Sequence, residues 1–544
     1  MIVPSLLRRS LLSLGWGAVA LSLAGPALGN WGRINAGSWI AMLWLVPALA
    51  LAVLLVMCHL LVPKPLSQPP SWTSRLLVLP VTLFTMLVAF VIGAALAGVA
   101  WRAAGDMAYR NARAEAIAAG HRWDPPPSST PNASDDNAVT WIVRAGVSSP
   151  PGGPRRSADL FGDQKIQGKT AATFLYQFVN GAHAGTITAT DLADAKALVD
   201  ANRERLALLE RAAAAPQVIW GIDYNKPWYQ VEIPSFTNVH NIARLRAAEA
   251  IILARAGNAG EAAEKLRTNF WLANAFSSSS PSLLAQAVAA GVTNTTLQAA
   301  ELVLPSLPAR RAHRAWDPYL KRDGAAAKVH RALVYEYFAS GDGAADFSWK
   351  EAGAMFGATG LADPSAVGRL IGTAYWPFIG FDVASAYRHQ VHVLACVNLP
   401  YRALASCLTE LGNAVARDVW MLGALSMPAY ANTTAVGRAT DARMRLAQLA
   451  IAAKEYRETH HVWPESLQQL AGAGLESRVF RDPFGESDLR IRAAGPTLVV
   501  YSAGANGTDD LATTDDIVWK LDATTERGKE PNGGRTDAKR SRTR

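Results

Sequence analysis

Few residues of this chain combine reactive side chains with suggestive spacing. Gly162-Asp163-Gln164-Lys165-Ile166-Gln167-Gly168-Lys169-Thr170 comes nearest to a motif. A glycine-rich turn followed by Lys-Thr is how a phosphate-binding loop offers backbone N–H groups and an ammonium to a nucleotide. Here five positions rather than four separate the glycines, and no apolar strand leads in, so nucleotide binding is not expected. His389 and His392 stand three apart on a predicted helix, which puts two imidazoles on one face at a legal metal spacing. No third ligand accompanies them in the sequence, and a polar helix face is the expected reading. Aromatic residues gather at Trp220, Tyr224, Trp228 and Tyr229, and again at Tyr375, Trp376, Phe378 and Phe381. Either group could line a ligand groove, but large aromatics more often fill cores. The chain contains no His-Glu-x-x-His, Gly-x-Ser-x-Gly or Cys-x-x-Cys segment. Of its three cysteines, Cys58 lies in an apolar run. Cys396 and Cys407 are eleven apart on one predicted helix, about three turns, and so too distant to bridge. Neither a disulfide framework nor a zinc site is expected.

The elements that must position these residues read as mainly α. Apolar residues recur at helical spacing over 190–214, 236–256, 261–276, 281–303, 325–339, 382–411 and 414–425. Thr190 or Asp191 caps the first of these. Gly257-Asn258-Ala259-Gly260 breaks the second from the third, and the pair resembles the helix-turn-helix unit of tetratricopeptide repeats. No second copy follows at that period, so an α-helical bundle or short solenoid is expected. Composition changes after Pro428. An amphipathic helix over 440–456 is followed by turn residues and short strands over 489–492 and 497–501, a small α+β pattern. The expected divisions are a membrane block at 1–101, a helix and Pro/Gly/Ser-rich linker at 102–185, a helical domain at 186–430, the α+β domain at 438–522 and a tail at 523–544.

The first hundred residues are nearly pure hydrocarbon. Runs over 11–29, 38–62 and 76–101 carry no charge, and the last two exceed the ~20 residues needed to cross a bilayer. In lipid, a helix satisfies its own backbone hydrogen bonds. The first run, with Arg8 and Arg9 before it and Ala27-Leu28-Gly29 at its end, also has the layout of a cleaved signal peptide; a retained helix is preferred because further spans follow closely. Arg8, Arg9, Lys64 and Arg75 place the start and the second connection in the cytoplasm. Everything after Trp101 is then extracytoplasmic, although Arg102, Arg110 and Arg113 oppose that orientation. Trp39, Trp72 and Trp101 sit at run edges, where interfacial aromatics belong. Gly93 with Ala97, and Ala94 with Gly98, give the third run small residues four apart, which allow close helix approach. The net charge of +9 does not imply nucleic acid: much of the excess lies in 527–544, which lacks large apolar residues and reads as a solvated tail.

A resemblance enters at the C-terminal end. Arg443-Met444-Arg445-Leu446-Ala447 through Tyr456-Arg457, then Val462-Trp463-Pro464-Glu465-Ser466-Leu467, Asp482-Pro483-Phe484-Gly485, Tyr501-Ser502-Ala503-Gly504-Ala505-Asn506-Gly507 and Asp515-Asp516-Ile517 occur in the order and approximate spacing of the globular head of the major pseudopilin of type II secretion systems. This resemblance covers about 80 of the 544 residues. The whole arrangement also resembles a group of uncharacterised bacterial membrane proteins. A pilin leader, a Gly-Phe-Thr-Leu-like cleavage site and a glutamate in the first helix are missing, so processing and polymerisation as a pilin are not expected. The resemblance implies that His460 and His461 form a structural turn. It also implies a calcium-binding closing loop, whose oxygens here would come from Asn506, Asp509, Asp515 and Asp516, with Asp510 nearby. Asn506 replaces the family's aspartate, the loop is about one residue shorter, and the paired glycines are gone; a solvated acidic turn is the competing expectation.

The leading functional expectation is a multi-pass protein of the bacterial inner membrane with its C-terminal region in the periplasm. Its partners would be the bilayer and other envelope proteins, beside a secretion or pilus-type assembly, with no nucleic acid. The alternative is an extracytoplasmic hydrolase whose site is assembled from distant residues.

Overall fold

A 47-residue helix, α1 (Trp72–Ala118), opens the described chain. The computed structural model describes residues 72–122, 134–149, 160–224, 226, 231–236, 238–279, 281–321, 324–345, 348, 375–397, 399–418, 420–472, 474–485, 487–512 and 516–522. The first two apolar runs and the basic tail lie outside them. Among the described residues one helical stretch, Leu83–Ala118, is long and apolar enough to cross a membrane. Leu83, Phe84, Leu87, Val88, Val91, Ile92, Leu96 and Val99 all point outward from it, while Met86 and Ala89 are buried and Gly93 and Gly98 lie on the covered side. So continuous an apolar face suits hydrocarbon rather than water. The helix does not end at Trp101. Its last 17 residues, at 1.5 Å each, carry it about 25 Å further.

The helical domain follows. α2 (Ala138–Arg144) precedes a hairpin of β1 (Lys165–Ile166) and β2 (Lys169–Thr170). Next come α3 (Ala171–His183), α4 (Ala189–Ala201), α5 (Arg203–Ala214), α6 (Val239–Arg255), α7 (Ala259–Ser279), α8 (Leu283–Val303) and α9 (Ala309–Leu320). The helix expected over 190–214 is two helices. Thr188, not Thr190 or Asp191, is its N-cap: Thr188 and Asp191 close a reciprocal capping box. Asn202, at φ −113°, separates the halves. The turn between α6 and α7 falls where expected, because Gly257 adopts φ +84°, a conformation open to glycine. α6, α7 and α8 pack side by side as the centre of a large core, where the buried Trp316 of α9 donates its indole N–H to the Ala263 carbonyl.

α10 (Ala325–Ala345), α11 (Ile379–Val397), α12 (Tyr401–Arg417) and the upper part of α1 build a second core. Here the sequence expectation fails. The helix read over 382–411 stops at Val397 and restarts at Tyr401, with Pro400 at the N-cap of α12. Proline has no N–H to continue the first helix, and it presets the start of the second. The chain reverses, and Cys396 and Cys407 form a disulfide with Cα atoms 5.9 Å apart. The three-turn separation that seemed to forbid this bond applied to a helix that does not exist.

α13 (Met421–His460) runs through Pro428 and starts 19 residues before the helix expected at 440. Tyr430 belongs to the second core, whereas Leu446, Leu449 and Ile451 belong to the first. Asp441 accepts from the Ala325 and Ala326 amides at the α10 N-terminus, where a carboxylate opposes the helix dipole. After the short α14 (Ser477–Phe480) come β3 (Arg490–Ala494), β4 (Thr497–Ser502) and β5 (Ile517–Asp522). They form an antiparallel sheet in the order β3-β4-β5, with Val500 opposite Ile491 and Trp519. Leu498, Val500, Trp519 and Leu521 are buried in the first core, and β4 and β5 pack on α13. The third strand had not been read from the sequence.

Candidate functional site

A long-range polar node lies where α1 meets the helical domain. Gly105 and Gly380 lie at the crossing of α1 and α11, and a Cβ on Gly380 would overlap the Gly105 backbone. One turn further, Asp342 of α10 gathers three partners. Tyr109 and Tyr387 each donate a hydroxyl to its Oδ1 at 2.6 Å. Arg113 donates Nε to Oδ1 at 2.9 Å and Nη2 to Oδ2 at 3.0 Å. The hydrogen bond to Asp342 raises the Arg113 guanidinium above its ordinary range, and burial followed by the Asp342 charge holds Tyr387 protonated. Every group here is engaged within the protein. The arrangement fixes three helices to one another. Sequence reading missed it because its members are more than 200 positions apart across the α1–α10 contact. One local signal existed: Asp342 sits in the last turn of a helix, where the dipole disfavours an acid.

The histidine pair separates. His389 Nε2 lies 2.9 Å from Asp418 Oδ2, while His392 is exposed. Ser385 donates its hydroxyl to the same Asp418 oxygen. Serine, histidine and aspartate therefore meet, but in the wrong order for nucleophilic catalysis. The carboxylate lies between the other two, so the imidazole is not placed to take the serine proton. The glycine-rich segment is a tight hairpin in which Gln167 (φ 52°) and Gly168 (φ 76°) form the turn and Lys169 Nζ reaches Gln177. Trp220 is buried against Phe276, and Tyr224 meets Tyr335; Trp228 and Tyr229 lie outside the described residues. A cleft among α7, α8, α10 and α13, lined by Asn274, Lys328, Thr433 and Thr440, has a cavity volume of about 40 Å³. That is room for a few waters, far below the several hundred Å³ of a small-molecule site.

In the C-terminal domain, two of the five resembling segments are joined by one buried carboxylate. Asp482 accepts from the Phe484 amide (2.9 Å), the Ser502 hydroxyl (2.8 Å) and the Ala503 amide (3.0 Å). His461 caps α13 at φ 63°, and His460, the last residue of that helix, bonds the Tyr456 carbonyl through Nδ1, so the expected turn begins at His461. Of the loop residues expected to hold calcium, Asp515 lies outside the described residues. Asp509 pairs with Arg490 at 2.9 Å and accepts from the Leu511 amide. Asn506 donates to Asp510 and accepts from the Thr508 amide. Asp516 Oδ2 accepts from the Ala512 amide, and Oδ1 is buried without a partner. The Asn506 and Gly507 carbonyls accept from Arg402 of α12 at 3.3 and 3.0 Å. Calcium takes six to eight oxygens. In the described loop, Arg490 holds the Asp509 carboxylate and Arg402 the Asn506 carbonyl, and no group of three or more acidic, histidine or cysteine side chains converges among the described residues.

No protein-family model, curated protein or solved structure matches the chain.

Proposed function

We propose that this chain is a multi-pass membrane scaffold of the bacterial cell envelope that displays its helical domain and α+β head outside the cytoplasm. Its work is protein–protein contact, beside a secretion or pilus-type assembly. The observation that carries this reading is the single helix α1, apolar and outward-facing up to Trp101 and then knitted into the second core through Gly105, Tyr109 and Arg113. A membrane helix that continues without a linker into a folded domain holds that domain at a fixed height. The Cys396–Cys407 disulfide supports an oxidising location, since such bonds persist outside the cytoplasm. The head supports the link to secretion by the order of its five motifs.

The test joins three measurements on the full chain. A reporter fused behind Arg544 should be active only outside the cytosol. The protein should leave the membrane only with detergent, and affinity capture from solubilised membranes should return envelope proteins. Cytosolic reporter activity, or soluble full-length protein, would overturn the topology. Capture of a bound small molecule with no protein partner would overturn the scaffold.

A further inference from the structure

The helices of the second core reverse direction at one level, and that level is the end of the apolar stretch of α1. Contacts along α1 and α11 rise together. Trp101 meets Phe378 and Phe381, Gly105 meets Gly380, and Tyr109 meets Tyr387. The two helices therefore run in the same direction, away from the apolar stretch. α12 returns: its C-terminal neighbour Asp418 reaches Ser385 and His389, and Trp420 stacks on Phe381 at 5.9 Å. α10 arrives at the same end, where Arg102 donates to the Ala345 carbonyl. α13 departs from it directly after Trp420.

What collects at this end differs from what collects at the other. Here are Trp101, Trp376, Phe378, Phe381 and Trp420, with the Arg102 guanidinium 5.2 Å above the Trp376 ring. Phe378 is buried and serves as core. Trp101 is 36% exposed, and Trp376, Phe381 and Trp420 are half-buried, so these rings keep surface for another medium. The far ends of α11 and α12 carry the disulfide, Arg402 and the contact of Tyr401 with Phe484 of the head, with no tryptophan among the described residues there. Tryptophan beside arginine, at the point where a spanning helix leaves hydrocarbon, is the chemistry of the lipid headgroup boundary, where an apolar ring and a polar N–H are both satisfied.

We infer that the rings of Trp376, Phe381 and Trp420 close around Trp101 as an aromatic collar that sits in the outer headgroup interface, so that the helical domain stands on the bilayer surface as well as being tethered to it. This rests on α1 spanning the membrane. The occupant of the collar is phospholipid, because its surface is continuous with the exposed face of α1 that ends at Val99 and Trp101.

The test uses the full chain in nanodiscs of phosphatidylethanolamine and phosphatidylglycerol. The photo-crosslinking residue p-benzoylphenylalanine replaces Val99, Trp376, Trp420 or Tyr401 one at a time. Mass spectrometry reads lipid adducts, and resistance of Cys396 and Cys407 to alkylation checks the fold. Adducts at 376 and 420 should approach the yield at 99 and exceed that at 401 by about tenfold. Adducts at 99 without adducts at 376 and 420 would overturn the collar while leaving the spanning helix intact. No adduct at 99 would instead overturn the membrane reading. An apolar diazirine dissolved in the bilayer around the unsubstituted protein repeats the test without any variant. It should label peptides containing 376–381 and 420, and their absence beside labelled α1 peptides would sink the collar.

Discussion

Replacing Asp482 tests whether the C-terminal domain is held as described. Its side chain is 3% exposed and accepts three hydrogen bonds, two of them from the buried backbone amides of Phe484 and Ala503. Asp482→Ala removes all three acceptors. Each buried amide left unsatisfied costs about 1–3 kcal/mol, and the Ser502 hydroxyl less because it can rotate, for a total of roughly 3–5 kcal/mol. Asp482→Asn keeps one acceptor oxygen for Phe484 and Ser502 but turns an NH₂ toward the Ala503 amide, so about 1.5–3 kcal/mol is expected. Hydrogen exchange on the full protein in detergent reads this locally. If 3 kcal/mol is lost, amides of β4 should exchange roughly a hundredfold faster in the alanine variant, with the asparagine variant between it and wild type. Exchange in α11, which lies in the other core, should not change. Equal protection in wild type and Asp482→Ala would refute the claim that this carboxylate joins the two segments. Equal losses in β4 and α11 would refute the claim that the head opens as its own unit.

Asp342→Ala should loosen the junction of α1 with the helical domain by about 2–4 kcal/mol, read as faster exchange and new proteolysis in the upper part of α1 with no change in the sheet. Gly380→Val should disrupt the same junction sterically, by about 1–3 kcal/mol or more, because its side chain overlaps the Gly105 backbone. Reduction of Cys396–Cys407, which closes an 11-residue separation, should cost roughly 3 kcal/mol in the α11–α12 hairpin; alkylation of these cysteines in protein taken directly from cells, without reductant, would contradict the bond. The His183 pKa is raised first by its hydrogen bond to Glu301, so the seam between α3 and α8 should be tightest below the ordinary histidine pKa and weaken as pH rises through the raised value. His183→Gln should flatten that dependence, and an unchanged slope would count against the pairing. Calcium and chelator should leave the melting of the head unchanged, and a calcium-dependent rise would show that Asp515 and Asp516 complete a cage.

The legible parts of this fold were those decided by neighbours in sequence. The continuation of the third apolar run into a helix was local, since no proline separates Trp101 from Ala118, and α1 runs through both. The α6–α7 turn followed from Gly257, whose positive φ is a local demand. Errors arose where a local signal was outweighed by a periodic one. Pro400 was read through because apolar spacing persists on both sides, and with it went the hairpin that brings Cys396 to Cys407. The opposite error occurred at Pro428, where a composition change read as a break lies inside α13. The Asp342 node and the meeting of Ser385, His389 and Asp418 depend on helix pairing and could not be seen from spacing. In the closing loop the sequence could not show that Arg402, about a hundred positions earlier, reaches the Asn506 and Gly507 carbonyls.

These corrections bear on one another. Because α13 is unbroken, one element belongs to both cores: it starts beside Trp420 and ends at the turn into the head. The head packs along the second half of this 40-residue helix, from Arg438 onward, so it is held against a continuous strut rather than on a flexible tether. The disulfide-closed hairpin braces the middle of α13 and the head together, with Arg402 donating to the Asn506 and Gly507 carbonyls and Arg438 of α13 donating to the Val397 and Leu399 carbonyls. Asp441 fastens the middle of α13 to the start of α10, and α10 returns to Asp342 and α1. A closed mechanical circuit therefore joins the membrane helix to the head through α10, α11, α12 and α13. For a scaffold this geometry matters more than any single side chain. On the scaffold reading proposed above, a partner of the head would meet it at a set distance from α1, and breaking the circuit at Asp342 should alter capture of such a partner without altering the fold of the head itself.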